Sequence, residues 1–175
     1  MLTDKLAIHA KNFFAIHYRN KGVLMKEVVL YTDGACSGNP GIGGYCAILI
    51  YKGVEKIISG GEMETTNNRM ELLGVINGLK GLKEPCKVAL YSDSAYVINA
   101  FTNGWIWSWE LAGWKTADKK PVKNQELWED LLSLTRLHKV EFNKVKGHSD
   151  NENNNRCDKI ARDEIKKLRE KVTVE

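Results

Sequence analysis

Residues 27–44 read EVVLYTDGACSGNPGIGG, and this stretch decides the fold. Glu27 to Thr32 is rich in β-branched and aromatic side chains and runs into a carboxylate, Asp33. That composition predicts a strand. Gly34 to Gly44, glycine-rich and holding Asn39-Pro40, predicts a turn cluster. Tyr45 to Tyr51 reads as a second strand, Lys52-Gly53 as a hairpin turn, and Val54 to Gly61 as a third strand. A three-strand meander therefore opens the domain.

Outward from this core the pattern becomes helical. Thr65-Thr66-Asn67-Asn68 offers N-cap chemistry, and Met70, Leu72, Leu73, Ile76 and Leu79 follow at helical spacing up to Pro85. Val88 to Ser92 predicts a fourth strand, again running into a carboxylate, Asp93, with a short helix over Ser94 to Phe101. Trp105 to Trp114 predicts a helix interrupted at Gly113, and Thr116 to Lys123 a polar, basic loop. Asn124 to Leu137 is amphipathic through Leu127, Trp128, Leu131 and Leu134. Val140 to Val145 is the fifth strand, Gly147 to Asn155 a polar loop, and the last helix buries Ile160, Ala161, Ile165 and Leu168. Strands first as a meander, then alternating with helices, predict an α/β fold with a mixed sheet covered by helices.

Residues 1–24 read differently. Leu6, His9, Ala10, Phe13 and Phe14 could line a short helix, and Gly22 interrupts it. The stretch is an N-terminal extension, helical or disordered, and Met25 is an equally good start. We expect a catalytic domain over 25–170 and a C-terminal tail over 171–175.

Composition limits the classes of function. The chain has 175 residues, 43% hydrophobic and 27% charged, which suits one globular domain. No apolar run approaches the ~20 residues of a membrane helix. Asp4, Lys5 and His9 break any signal-like stretch, so no membrane and a cytoplasmic location are the expectation. Net charge is +4, which permits a polyanionic partner without demanding one. The cysteines, Cys36, Cys46, Cys86 and Cys157, have no zinc-site spacing and read as free thiols.

Four carboxylates are candidates for chemistry: Asp33, Glu71, Asp93 and Asp158. Asp33 and Asp93 end strands, where open α/β sheets tend to place their sites. Glu71 shares a helix face with Asn67 at i,i+4, and Asp158 is expected to open the last helix. Singly, each has an ordinary reading as turn residue, cap or helix-end charge. Together they would repel, by about 4 kcal/mol for two charges ~4 Å apart at an effective dielectric near 20. Oxygen ligands without a cysteine or paired histidine favour a hard divalent ion, Mg²⁺ or Mn²⁺. Spacing alone does not establish convergence.

Five blocks carry a resemblance. YTDGACSGNPGIGGYCAIL, TTNNRMELLGVINGL, YSDSAYVI, WKTADKKPVKNQELW and VKGHSDNENNNRCDKIA resemble, in order, the motifs of bacterial type 1 ribonuclease H, from about Met25 to Leu168. The resemblance implies a ribonuclease H-like fold with a five-stranded mixed sheet flanked by helices. It implies an endoribonuclease that cuts the RNA strand of RNA–DNA hybrids and leaves 5′-phosphate and 3′-hydroxyl ends. It implies two Mg²⁺ ions on Asp33, Glu71, Asp93 and Asp158, with Asp33 bridging and Mn²⁺ as a substitute. His148 would assist turnover around product release. Relatives of this type are usually monomers.

For the substrate, small polar groups suit reading of the 2′-hydroxyl. Asn39, Asn67 and Asn68 sit in matching blocks, and their ordinary reading is turn and cap chemistry. Thr66 and Asn124 match positions that form a pocket for a DNA-strand phosphate in relatives. Trp105, Trp109 and Trp114 with Lys115, Lys119, Lys120 and Lys123 resemble the family's substrate-handling protrusion. Packing is the expected main role of the Trp residues, and phosphate contact that of the Lys residues. Glu64, Ala95 and Glu110-Leu111-Ala112 depart from the more basic or polar residues of some relatives and imply weaker hybrid binding. Two rivals remain from the sequence: a same-fold nuclease for another substrate, and a nucleic-acid-binding module without catalysis.

Overall fold

The computed structural model describes residues 24–147 and 151–174. Five strands form one mixed sheet: β1 (Lys26–Gly38), β2 (Gly41–Tyr51), β3 (Val54–Thr65), β4 (Cys86–Ser92) and β5 (Lys139–Lys144). Their order is β3-β2-β1-β4-β5. β2 pairs antiparallel with β1 and β3, whereas β4 pairs parallel with β1 and β5. Five helices complete the described part: α1 (Asn67–Lys80), α2 (Ala95–Thr102), α3 (Trp105–Leu111), α4 (Gln125–Leu137) and α5 (Glu152–Val174). The mixed sheet with flanking helices is the fold expected from the sequence. Among the described residues no helix is long and apolar enough to cross a membrane.

The period-2 pattern of the first strands separates two apolar layers. Val28, Leu30, Ala47 and Leu49 face a large core closed by α1, α2 and α4, with Trp128 and Leu131 fully buried. Tyr31, Cys46, Ile48 and Ile50 face the other way, onto Cys157, Ile160 and Ala161 of α5. Each fully buried aliphatic side chain contributes roughly 1.5–3 kcal/mol, so the first layer holds most of the packing energy. α5 lies directly on β2: a Cβ on Gly44 would be 2.2 Å from the carbonyl oxygen of Ala161.

Several boundaries differ from the sequence expectation. The stretch Gly34–Gly44 is not a turn cluster. β1 continues to Gly38 and β2 begins at Gly41, with only Asn39 and Pro40 between them, joined by a cis peptide bond. Ala35↔Gly44 and Cys36↔Gly43 pair in register, so the glycines lie in a hairpin held by its ladder rather than in a loop. Asp33 is therefore inside β1, opposite Cys46, and not at a strand end. β3 likewise runs on to Thr65. The last helix starts at Glu152, because the Asn151 side chain accepts the N–H of Asn154 at 3.1 Å, as a cap does. Asp158 consequently lies in the second turn of α5 instead of opening it.

Candidate active site

The first acid, Asp33, is almost fully buried on the central strand, and its Oδ1 accepts the N–H of Gly34 at 2.8 Å. The absence of a side chain at Gly34 lets α1 dock on the strand, since a Cβ there would lie 2.4 Å from the amide nitrogen of Glu71. α1 starts where Thr66, in extended conformation, accepts the N–H of Arg69 on its hydroxyl at 3.4 Å. One turn further, Glu71 projects beside Asp33. Its Oε1 accepts from Asn67 Nδ2 at 3.4 Å, and its Oε2 is buried with no partner. Asp93 follows β4 directly, half-buried.

Asp33, Glu71 and Asp93 each offer an oxygen within 4.8 Å of the others. Burial first, then the charges of Asp93 and Asp158, push the Asp33 carboxyl up to about 7. Burial, then Asp33 and Asp93, push Glu71 well above the usual carboxylate range, against the opposing bond from Asn67. Three acids so placed either hold protons or share a cation. An all-oxygen set with one buried, unpartnered carboxylate oxygen fits a hard divalent ion.

Asp158 is not part of the close trio. Its charge reaches Asp33, but both its oxygens are taken by Arg162 one turn along α5, with Nε to Oδ1 at 2.8 Å and Nη2 to Oδ2. His148 lies outside the described residues. The backbone just before it passes close to the site, since a Cβ on Gly147 would lie 2.5 Å from Asp93 Oδ2.

The candidate substrate residues fall into two groups. Asn39, at the β1–β2 turn, accepts the backbone N–H of Asn67 on its side chain at 3.3 Å. With Thr66 and the exposed Asn68 this makes a polar rim one turn from Glu71. The second group lies beyond α3. Trp109 packs against Trp128, with ring centroids 5.5 Å apart, and Trp114 is half-buried against the same core. Trp105 remains 44% exposed, so packing accounts for Trp109 and Trp114 better than for Trp105. Lys115, Lys119, Lys120 and Lys123 are all exposed, on a loop closed by a Lys115–Pro121 bridge. Asn124 ends that loop in left-handed conformation (φ 59°). Its Nδ2 donates to the Tyr96 hydroxyl at 3.2 Å, and its Oδ1 accepts from Arg69 at 3.4 Å. Glu110 is paired with Arg136 through two bonds of 2.7 and 2.8 Å, so its charge is partly offset.

Sequence reasoning gave no role to Arg69, Tyr96 or Arg162. The i,i+4 spacing of Asp158 and Arg162 was a usable signal. Arg69 and Tyr96 act across elements, which spacing does not reveal.

Comparison with known proteins identifies the family. The RNase H family model matches residues 25–166. The chain belongs to the RNase H family. As a member it is a nuclease. Its similar relatives include the ribonuclease H of Caldicellulosiruptor saccharolyticus, 60% identical over 83% of this chain and 100% of the relative. That of Acetivibrio thermocellus is 64% identical over 82% and 97%. Among solved structures, LC9-RNase H1, described as a type 1 RNase H with the type 2 active-site motif, has a TM-score of 0.73 and 29% identity, covering 82% of this chain and 74% of its own.

Proposed function

We propose that this nuclease hydrolyses the RNA strand of RNA–DNA hybrids, leaving 5′-phosphate and 3′-hydroxyl ends, with Asp33, Glu71, Asp93 and Asp158 holding two Mg²⁺ ions. The observation that carries the reading is the trio of acids within 4.8 Å, with its buried, unpartnered Glu71 oxygen. Bound divalent cations supply Lewis-acid stabilisation of the phosphoryl oxygens and a nucleophile at neutral pH; Mn²⁺ has the same ligand preferences. The buried Asp33 and Glu71 provide negative charge in a poorly solvated place, where it attracts cations strongly. Asp158 completes the set once Arg162 releases it. His148 follows Gly147, whose backbone lies against Asp93, and assists product release.

The hybrid is held on both sides of this centre. Asn39, Asn67 and Asn68 offer donors and acceptors to riboses near the acids, as reading a 2′-hydroxyl requires. Thr66 and Asn124 take a DNA-strand phosphate. Lys115, Lys119, Lys120 and Lys123 meet further phosphates, and the exposed face of Trp105 offers a stacking surface, with Trp109 and Trp114 supporting it.

A labelled hybrid tests this beside single-stranded RNA, duplex RNA and duplex DNA, each with Mg²⁺, with EDTA and with Asp33→Asn. Internal cuts only in the hybrid's RNA, lost with EDTA and with the variant, are expected. DNA cleavage would assign another substrate, and binding without cleavage in Mg²⁺ or Mn²⁺ would overturn the enzymatic reading.

A further inference from the structure

Arg69 joins three elements at one end of the sheet. Its Nη1 donates to Asn124 Oδ1 at 3.4 Å and to Glu126 Oε1 at 2.5 Å. Its Nε lies 3.8 Å from Glu62 Oε2, and its backbone N–H donates to the Thr66 hydroxyl. Glu62 belongs to β3, Thr66 and Arg69 to the start of α1, and Asn124 and Glu126 to the start of α4.

We propose that Arg69 is the positioning residue of the phosphate subsite made by Thr66 and Asn124, an inference that rests on the hybrid-cleaving reading above. Three features carry it. Asn124 is the residue before α4 but makes no capping bond with its side chain, so its amide is free for another use. With Arg69 on Oδ1 and the Tyr96 hydroxyl on Nδ2, the amide's orientation is fixed, and one N–H remains to donate to an anion. Thr66 accepts from Arg69, so its own hydroxyl hydrogen is also free to donate. Arg69 therefore touches both residues of the pair: its backbone N–H fixes Thr66, and its side chain aims the Asn124 donor, which is what substitution at 69 removes. Its own charge is faced by Glu62 and Glu126, so its contribution to the subsite is geometric. A planar guanidinium can reach the amide and both carboxylates together, which an ammonium cannot.

The test compares wild type, Arg69→Ala, Arg69→Lys and Glu126→Gln on hybrids in which one DNA-strand phosphate at a time is replaced by an uncharged methylphosphonate. We expect Arg69→Ala to raise KM roughly tenfold, the equivalent of one charge-assisted hydrogen bond, with kcat within about twofold. Arg69→Lys and Glu126→Gln should show smaller rises of the same kind. At one methylphosphonate position the wild type should lose affinity while Arg69→Ala loses nothing more. Losses that add at every position, or a fall in kcat without a KM change, would overturn the role of Arg69 alone. A wild-type protein that cuts no hybrid would overturn the functional reading together with it.

Discussion

Gly34 and Glu71 are in backbone contact: a Cβ on the glycine would sit 2.4 Å from the amide nitrogen of the glutamate. The neighbours are main chain on both sides, so no side-chain movement relieves the clash. The strand carrying one acid and the helix carrying another thus have their separation set by the lack of a methyl group. Gly34→Ala should cost about 3 kcal/mol or more and reduce cleavage further by moving Glu71 from Asp33. Urea unfolding and single-turnover cleavage check both; an unchanged midpoint would mean that α1 shifts freely.

Asp33 opposes folding when no cation is present. In the folded protein its carboxyl titrates at about 7 against the ordinary 3.8. Between about pH 4 and pH 7 the folded state holds a proton that the unfolded chain has lost, so this residue's contribution makes stability fall as pH rises. Three units correspond to roughly 4 kcal/mol at most. Asp33→Asn should therefore be inactive, yet more stable than wild type in EDTA at pH 8, with the difference gone near pH 4. Melting curves at the two pH values measure it, and Mg²⁺ should narrow the gap at pH 8.

His138 acts in the opposite sense. Burial lowers its imidazole from 6.5 to about 4, and its Nδ1 accepts the N–H of Cys86 at 3.2 Å. The unfolded chain binds a proton first as pH falls, so stability present above about 6.5 is lost towards pH 4. A His138→Gln variant should have a lower but flatter acid limb in the same melting series; an unaltered slope would exclude His138 as its source.

The helices and the existence of all five strands were legible in the sequence because their apolar spacing is local. The β1–β2 hairpin was not. Its glycines and Asn39-Pro40 are turn residues by composition, and only pairing with the opposite strand shows that Gly34 to Gly38 are extended. The same limit applied to the site. Each acid could be named, but the approach of Asp33 to Glu71 depends on helix docking. The capture of Asp158 by Arg162 was readable from their i,i+4 spacing, whereas the start of α5 at Glu152, set by Asn151, was not.

Lys119 and Lys120 are exposed on the loop following α3. Replacing either by Ala should weaken hybrid binding evenly across sequences and lower the salt slope by roughly one unit. Fluorescence anisotropy at several salt concentrations would show it. Since Glu110 is paired with Arg136, Glu110→Gln alone should change the slope little.

The two layers of the sheet also differ in how firmly they hold what they carry. α1 brings Glu71 to a core closed by three helices, whereas α5 brings Asp158 on a small patch around Cys46, Ile48, Cys157 and Ala161. Elements with few buried apolar contacts open first in the native state. The last carboxylate is thus mounted over the smaller of the two apolar layers. Cations shared between Asp33 and Asp158 would fasten it there, slowing amide exchange along α5 more than along α1. The ions required for cutting would at the same time act as a latch on the fold.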